Sequence, residues 1–216
     1  MKLEITKACA DSLRAFTQNN YGIQLKSSHA HELVAAYFGY ASRAAMLADE
    51  NFSISNLTDA EIIILNPPTL FVDQRLKTLE NLPSELPGSD ILAEGVYAPI
   101  VADEQFSGKI WSNLHDVAMA LTEERAQTFE MFGNDLKGTD SIADLVIKTT
   151  EYDVLMTVTF KYPANANKQL RHSAVEIILS HIAGGIGYKK TKVMPVFYHG
   201  NFSDPDFELK HGITWS

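Results

Sequence analysis

A chain of 216 residues, 45% hydrophobic and 21% charged, is long enough to bury one large core or two small ones and too apolar to be intrinsically disordered. Its one cysteine, Cys9, excludes an internal disulfide and any cysteine-based zinc cluster within a single chain. The net charge of −9 is concentrated in residues 51–125, which carry four basic and twelve acidic side chains, so the middle of the chain repels nucleic acid and suits solvent or a basic partner.

The first predicted element is a helix over residues 5–18, with Ile5, Ala8, Cys9, Leu13 and Phe16 on one stripe. Cys9 reads as a buried core thiol, since free cysteines are mostly small buried hydrophobes. Acidic and polar residues interrupt the N-terminus where a secretory signal would be apolar. No apolar run approaches the roughly 18 residues that span a bilayer. A cytoplasmic, non-membrane protein is expected. Asn19 to Gly22 ends the helix. Ser28 is the expected N-cap of a second helix running to Phe38, and Gly39 fits the left-handed closing position. Ser42 is expected to cap a third, short helix bearing Ala45, Met46 and Leu47.

Thr58 to Leu65 reads as a short buried strand or one helical turn, stopped by Asn66-Pro67-Pro68. Phe71 to Leu79 has helical spacing, Pro83, Pro87 and Gly88 mark a loop, and residues 89–101 are ambiguous. A helix is expected over Trp111 to Arg125, where Leu114, Val117, Ala118 and Leu121 repeat at three and four. Residues 142–148, 152–162 and 193–198 read as strands. In the second of these, Val154, Met156, Val158 and Phe160 alternate with other residues. Residues 174–182 fit either a helix or a buried strand. Their Val and Ile content and the Gly184-Gly185-Ile186-Gly187 turn favour the strand. The expected fold is α+β: a three-helix module over 1–50, an acidic, mostly helical region over 51–128, and a mainly antiparallel β-rich domain over 129–216.

Candidate chemistry is sparse. His29, His31 and Glu32 suggest a metal site, but two histidines two apart diverge on a helix, and no complete zinc motif is present. His172 and Glu176 share a helical face only if that segment is helical. Ala35, Gly39 and Ser42 have the spacing of a helix-turn-helix, in which Ser42 and Arg43 would meet bases, although Asp49 and Glu50 close the reading helix with negative charge. The glycines before Lys189-Lys190-Thr191 lack the phosphate-loop spacing. Residues 168–192 hold Lys168, Arg171, Lys189, Lys190 and Lys192 against Glu176, the one basic concentration in the chain and the other candidate contact for nucleic acid or an acidic partner. No nucleophile motif is present, and Asp204-Pro205-Asp206 reads as a turn. No catalytic residue, cofactor or metal ligand is assigned.

Ser28-His29, Glu32-Leu33, Ala35, Phe38-Gly39-Tyr40, Ser42 and Leu47 together resemble a small helical module of glyoxalase-related bacterial proteins and of uncharacterised plasmid and genomic-island proteins. The resemblance covers residues 28–49 and implies a non-catalytic module in a bacterial, mobile-element setting. Glyoxalase ligands and the βαβββ repeat are not recognisable downstream. The leading expectation is a non-enzymatic accessory protein that binds a protein partner, in defence or mobile-element biology. The alternatives are a DNA-binding regulator and a metal-dependent enzyme whose site is assembled only by the fold.

Overall fold

The structure, a computed structural model, describes residues 4–66, 68–128, 142–160 and 171–199. The fold is α+β. Its helices are α1 (Glu4–Tyr21), α2 (Ser27–Tyr37), α3 (Arg43–Ala48), α4 (Thr69–Thr78), α5 (Ser89–Ala102) and α6 (Leu114–Thr128). Its strands are β1 (Ile62–Ile64), β2 (Ile110–Trp111), β3 (Ile142–Thr149), β4 (Asp153–Phe160), β5 (Arg171–Ala183) and β6 (Gly187–His199). The sheet order is β2-β1-β6-β5-β4-β3, with β1 parallel to β2 and antiparallel to β6. The chain divides into two compact units, Met1–Leu114 with Ser180–Lys189, and His115–Leu179 with Lys190–Ser216. Residues 51–114 therefore fold with the N-terminal helices.

The first unit is built around α2. Leu33 to Phe38 are all fully buried, the pattern of a helix covered on every side, and α1, α3, α4 and α5 all lie against it. Each large apolar side chain so buried stabilises the unit by about 1.5–3 kcal/mol. The buried stripe of α1 is Thr6, Cys9, Ala10, Leu13 and Thr17, turned from the expected one so that Ala8 faces solvent. Thr17 tolerates burial because its hydroxyl donates to Arg14 O at 3.1 Å. Helix α2 starts two residues earlier than an N-cap at Ser28 implies: Lys26 is the N-cap, without a side-chain bond, and Ser28 lies inside the first turn.

Residues 89–101, ambiguous in sequence, form α5. The ambiguity came from Gly95 and Pro99, both weak helix formers. Gly95 has a packing reason, since a Cβ there would lie 2.8 Å from Phe16 of α1. Trp111 belongs to β2, not to the following helix. The parallel ladder claims it, with Ile63 N–H on Lys109 O at 2.8 Å and Leu65 N–H on Trp111 O at 3.0 Å.

In the second unit, α6 buries Val117, Ala118 and Leu121. Val154, Met156 and Val158 of β4 are buried and alternate with half-buried Leu155, Thr157 and Thr159, as period two requires. The expected strand end at residues 161–162 lies outside the described residues. Residues 174–182 are strand within β5, which settles the helix-or-strand choice.

Candidate functional site

The stretch from Ser28 to Asp49 is α2, a turn and α3. Gly39 takes φ +87°, the left-handed closing position expected of it. Ser42 caps α3 as expected, its Oγ accepting the Ala45 N–H at 3.1 Å. The turn does not stand alone. Gly184 and Gly185, from the turn between β5 and β6, lie against it: Gly185 N–H donates to Phe38 O at 2.8 Å and Gly184 N–H to Phe52 O at 2.7 Å. Tyr40 OH donates to the same Phe52 carbonyl at 2.7 Å. The glycines that suggested a phosphate loop thus let two backbones approach closely.

Glu32 is the hub of the element. Its carboxylate accepts the Arg43 backbone N–H at 3.1 Å and pairs with the Arg75 guanidinium of α4. Burial alone would raise its pKa, but the Arg43 N–H and the Arg75 guanidinium outweigh burial and hold it below the usual glutamate value. A carboxylate so held is an anchor between α2, α3 and α4. His31 is half-buried, and burial followed by the Arg43 charge lowers its pKa. His29 is buried, with Nδ1 lacking a hydrogen-bond partner. Among the described residues no three of His, Cys, Asp and Glu stand together in a position to hold a metal ion. His181 sits among aromatic rings, 4.6 Å from Tyr188 and 6.1 Å from Phe52 between centroids. With residues 171–183 in a strand, the helical face that would have joined His172 to Glu176 does not exist.

The residues proposed for nucleic-acid or acidic-partner contact fall on separate elements. Ser42 and Arg43 open α3, whose outer face is Ala44, Ala45, Leu47 and Ala48. Arg171 starts β5, and its side chain lies outside the described residues, as does Lys168. Lys189, Lys190 and Lys192 are exposed on β6, where Lys190 Nζ lies 3.6 Å from Glu124 Oε2 of α6. Alternation puts Lys190 and Lys192 on one face of the strand and Lys189 on the other.

The remaining perturbed groups serve the core. Burial pushes the Cys9 thiol up to about 12, far from a reactive thiolate. Burial also raises Tyr37, Tyr40 and Tyr97, and pushes Tyr188 up to about 12. Tyr37 OH donates to Ser89 O and Tyr97 OH to Tyr37 O at 3.2 Å, tying α2 to α5. An open groove of ≈ 480 Å³ lies beside the end of α4, lined by Leu76, Lys77, Leu79, Leu82 and Pro83 among others. Its charged lining residues are Asp73 and Lys77, one helical turn apart on α4. Sequence reasoning missed Arg75, 43 residues from its partner and in an unremarkable helix. It also missed the exposed apolar residues Val146 and Ile147 of β3, whose exposure depends on strand order.

Among the described residues no helix is long and apolar enough to cross a membrane. What fold and site define is an α+β protein whose best-formed polar cluster, Glu32 with Arg43 N–H and Arg75, joins three helices. Compared with protein-family models, curated proteins and solved structures, the chain matches none.

Proposed function

We propose that this chain is a non-enzymatic protein-interaction component, an accessory subunit rather than a catalyst. The observation that carries the reading is the outer face of α3. Ala44, Ala45, Leu47 and Ala48 are exposed, Leu47 at 58%, while Ser42 Oγ and the Arg43 N–H are engaged in holding the turn. Phosphates require donors and most base-edge contacts require donors or acceptors, whereas the exposed alanines and Leu47 of this face offer methyl groups. Asp49 and Glu50 close the helix, so the matching partner is a protein with an apolar patch and a basic rim. The likeness of residues 28–49 to modules of plasmid and genomic-island proteins supports a bacterial mobile-element or defence setting, with the cytoplasm as the place of action.

The test is tagged purification from the native host followed by mass spectrometry, with Leu47→Asp in parallel. The expected result is a stoichiometric partner kept by the wild type and lost by Leu47→Asp. A lone species that turns over a small molecule overturns the reading. So does duplex-DNA binding that falls steeply with salt and is weakened by Arg43→Ala or by Lys189→Ala with Lys190→Ala.

A further inference from the structure

We propose that two copies of this chain pair edge to edge through β3, antiparallel about a two-fold axis at Val146. The inference is independent of the partner reading above. It concerns β3, and a failed host purification leaves it standing.

Strand β3 ends the sheet order, and among the described residues it pairs only with β4. The ladder shows which backbone groups face outward. Thr150 N–H donates to Asp153 O at 2.8 Å at the hairpin end, and hydrogen-bonded pairs alternate from there. With Lys148 opposite Leu155, Val146 opposite Thr157 and Asp144 opposite Thr159, residues 144, 146 and 148 turn their amides to β4. Leu145, Ile147 and Thr149 turn theirs to the open edge. The Leu145 N–H agrees, since it donates to its neighbour Asp144 Oδ1 at 2.9 Å.

Edge strands are commonly guarded by proline, by bulges, by charged side chains or by a covering segment. Strand β3 has no proline, and the charged side chains along its regular stretch are Asp144 and Lys148, of opposite sign. The register shift in β3 falls between Ile142 and Asp144, leaving residues 144–149 regular. Val146 is 42% and Ile147 38% exposed, one on each face of the strand. Ile147 and Leu145 share the face of the buried Met156 and Val158 opposite them, so a strand added here extends an existing core.

Charge selects the occupant and the register. In a two-fold antiparallel pair centred on Val146, Leu145 meets Ile147 of the second copy as a hydrogen-bonded pair through the outward amides. Asp144 then meets Lys148 of the second copy, twice per dimer, in non-hydrogen-bonded positions where opposed side chains come closest. A centre at 145 or 147 separates these charges. Asp144 exchanges its bond to Leu145 N–H for the lysine, and that N–H gains the Ile147 carbonyl of the second copy.

Sedimentation velocity over a concentration series tests this with the full chain, Asp144→Lys, Lys148→Asp and the double reversal. Both side chains are exposed, so the fold is not at risk. The wild type is expected to dimerise. Each single reversal sets like charges opposite one another at two positions and weakens the dimer about tenfold, whereas the double reversal restores it to within about threefold. A wild type that stays monomeric, single reversals that change nothing, or a double reversal that fails to rescue would each overturn the proposal.

Discussion

Gly184→Ala tests the junction on which the N-terminal turn depends. Gly184 has φ +51°, and a Cβ there would stand 2.6 Å from Phe38 O and 3.1 Å from the Tyr40 ring. The left-handed conformation alone costs an alanine about 1–2 kcal/mol. The Phe38 contact is with backbone and cannot be relieved by a rotamer change, so the glycine turn must move away from α2. That movement stretches Gly184 N–H to Phe52 O and Gly185 N–H to Phe38 O, each contributing about 0.5–1.5 kcal/mol. The expected total is about 2–5 kcal/mol. Two other glycines act as controls. Gly22 has φ +68° with nothing within 4 Å of a Cβ, so Gly22→Ala carries the conformational cost of about 1–2 kcal/mol and no clash. Gly185→Ala meets nothing nearer than 3.6 Å and should stay within about 0.5 kcal/mol of the wild type. Alanine restricts the unfolded chain alike at all three positions, so the differences report the folded state. Urea unfolding reads the order through the midpoint at unchanged m. If Gly184→Ala costs no more than Gly22→Ala, the close approach of the two turns is wrong.

Glu32→Gln should destabilise by about 1–3 kcal/mol, because it strips the charge partner from Arg75 while leaving the guanidinium in place. The folded pKa of Glu32 is depressed, so its contribution is present above the ordinary glutamate pKa and is lost as pH falls through the lower folded value. Wild-type and Glu32→Gln denaturation midpoints should therefore converge on acidification, and a gap that persists to the lowest pH at which the fold survives refutes the role. Cys9, fully buried with its thiol pushed up to about 12, should resist a thiol-specific chromogenic reagent at pH 8 in the native chain and react once urea unfolds it. Rapid native labelling contradicts that burial.

How much was legible followed the range of the signal. Gly39 and Ser42 marked their own conformations, because a left-handed turn and a hydroxyl cap depend on neighbours one to three residues away. The alternation in β4 was equally local. Trp111 misled because helical spacing extends back to it, while its backbone is held by Ile63 and Leu65 in a ladder some 50 residues distant in sequence. In the candidate site, Glu32 was legible as a candidate ligand beside His29 but not as an anchor, since Arg75 carries no mark of its destination.

By itself the sequence determined the α+β class, the helix closed at Gly39 with the Ser42-capped helix after it, and the alternating strand of β4. Each rests on side-chain period or on the conformational preference of one residue. Tertiary structure decided the rest. It made residues 174–182 a strand, because β5 lies between β4 and β6 and their backbone groups complete its ladder. It turned Gly184 and Gly185 from an apparent anion loop into a seat against Phe38. It placed β3 at the end of the sheet, which leaves Val146 and Ile147 exposed. The physical reason is common to all three: burial and backbone pairing are properties of segments distant along the chain, and no local pattern records which segments will meet.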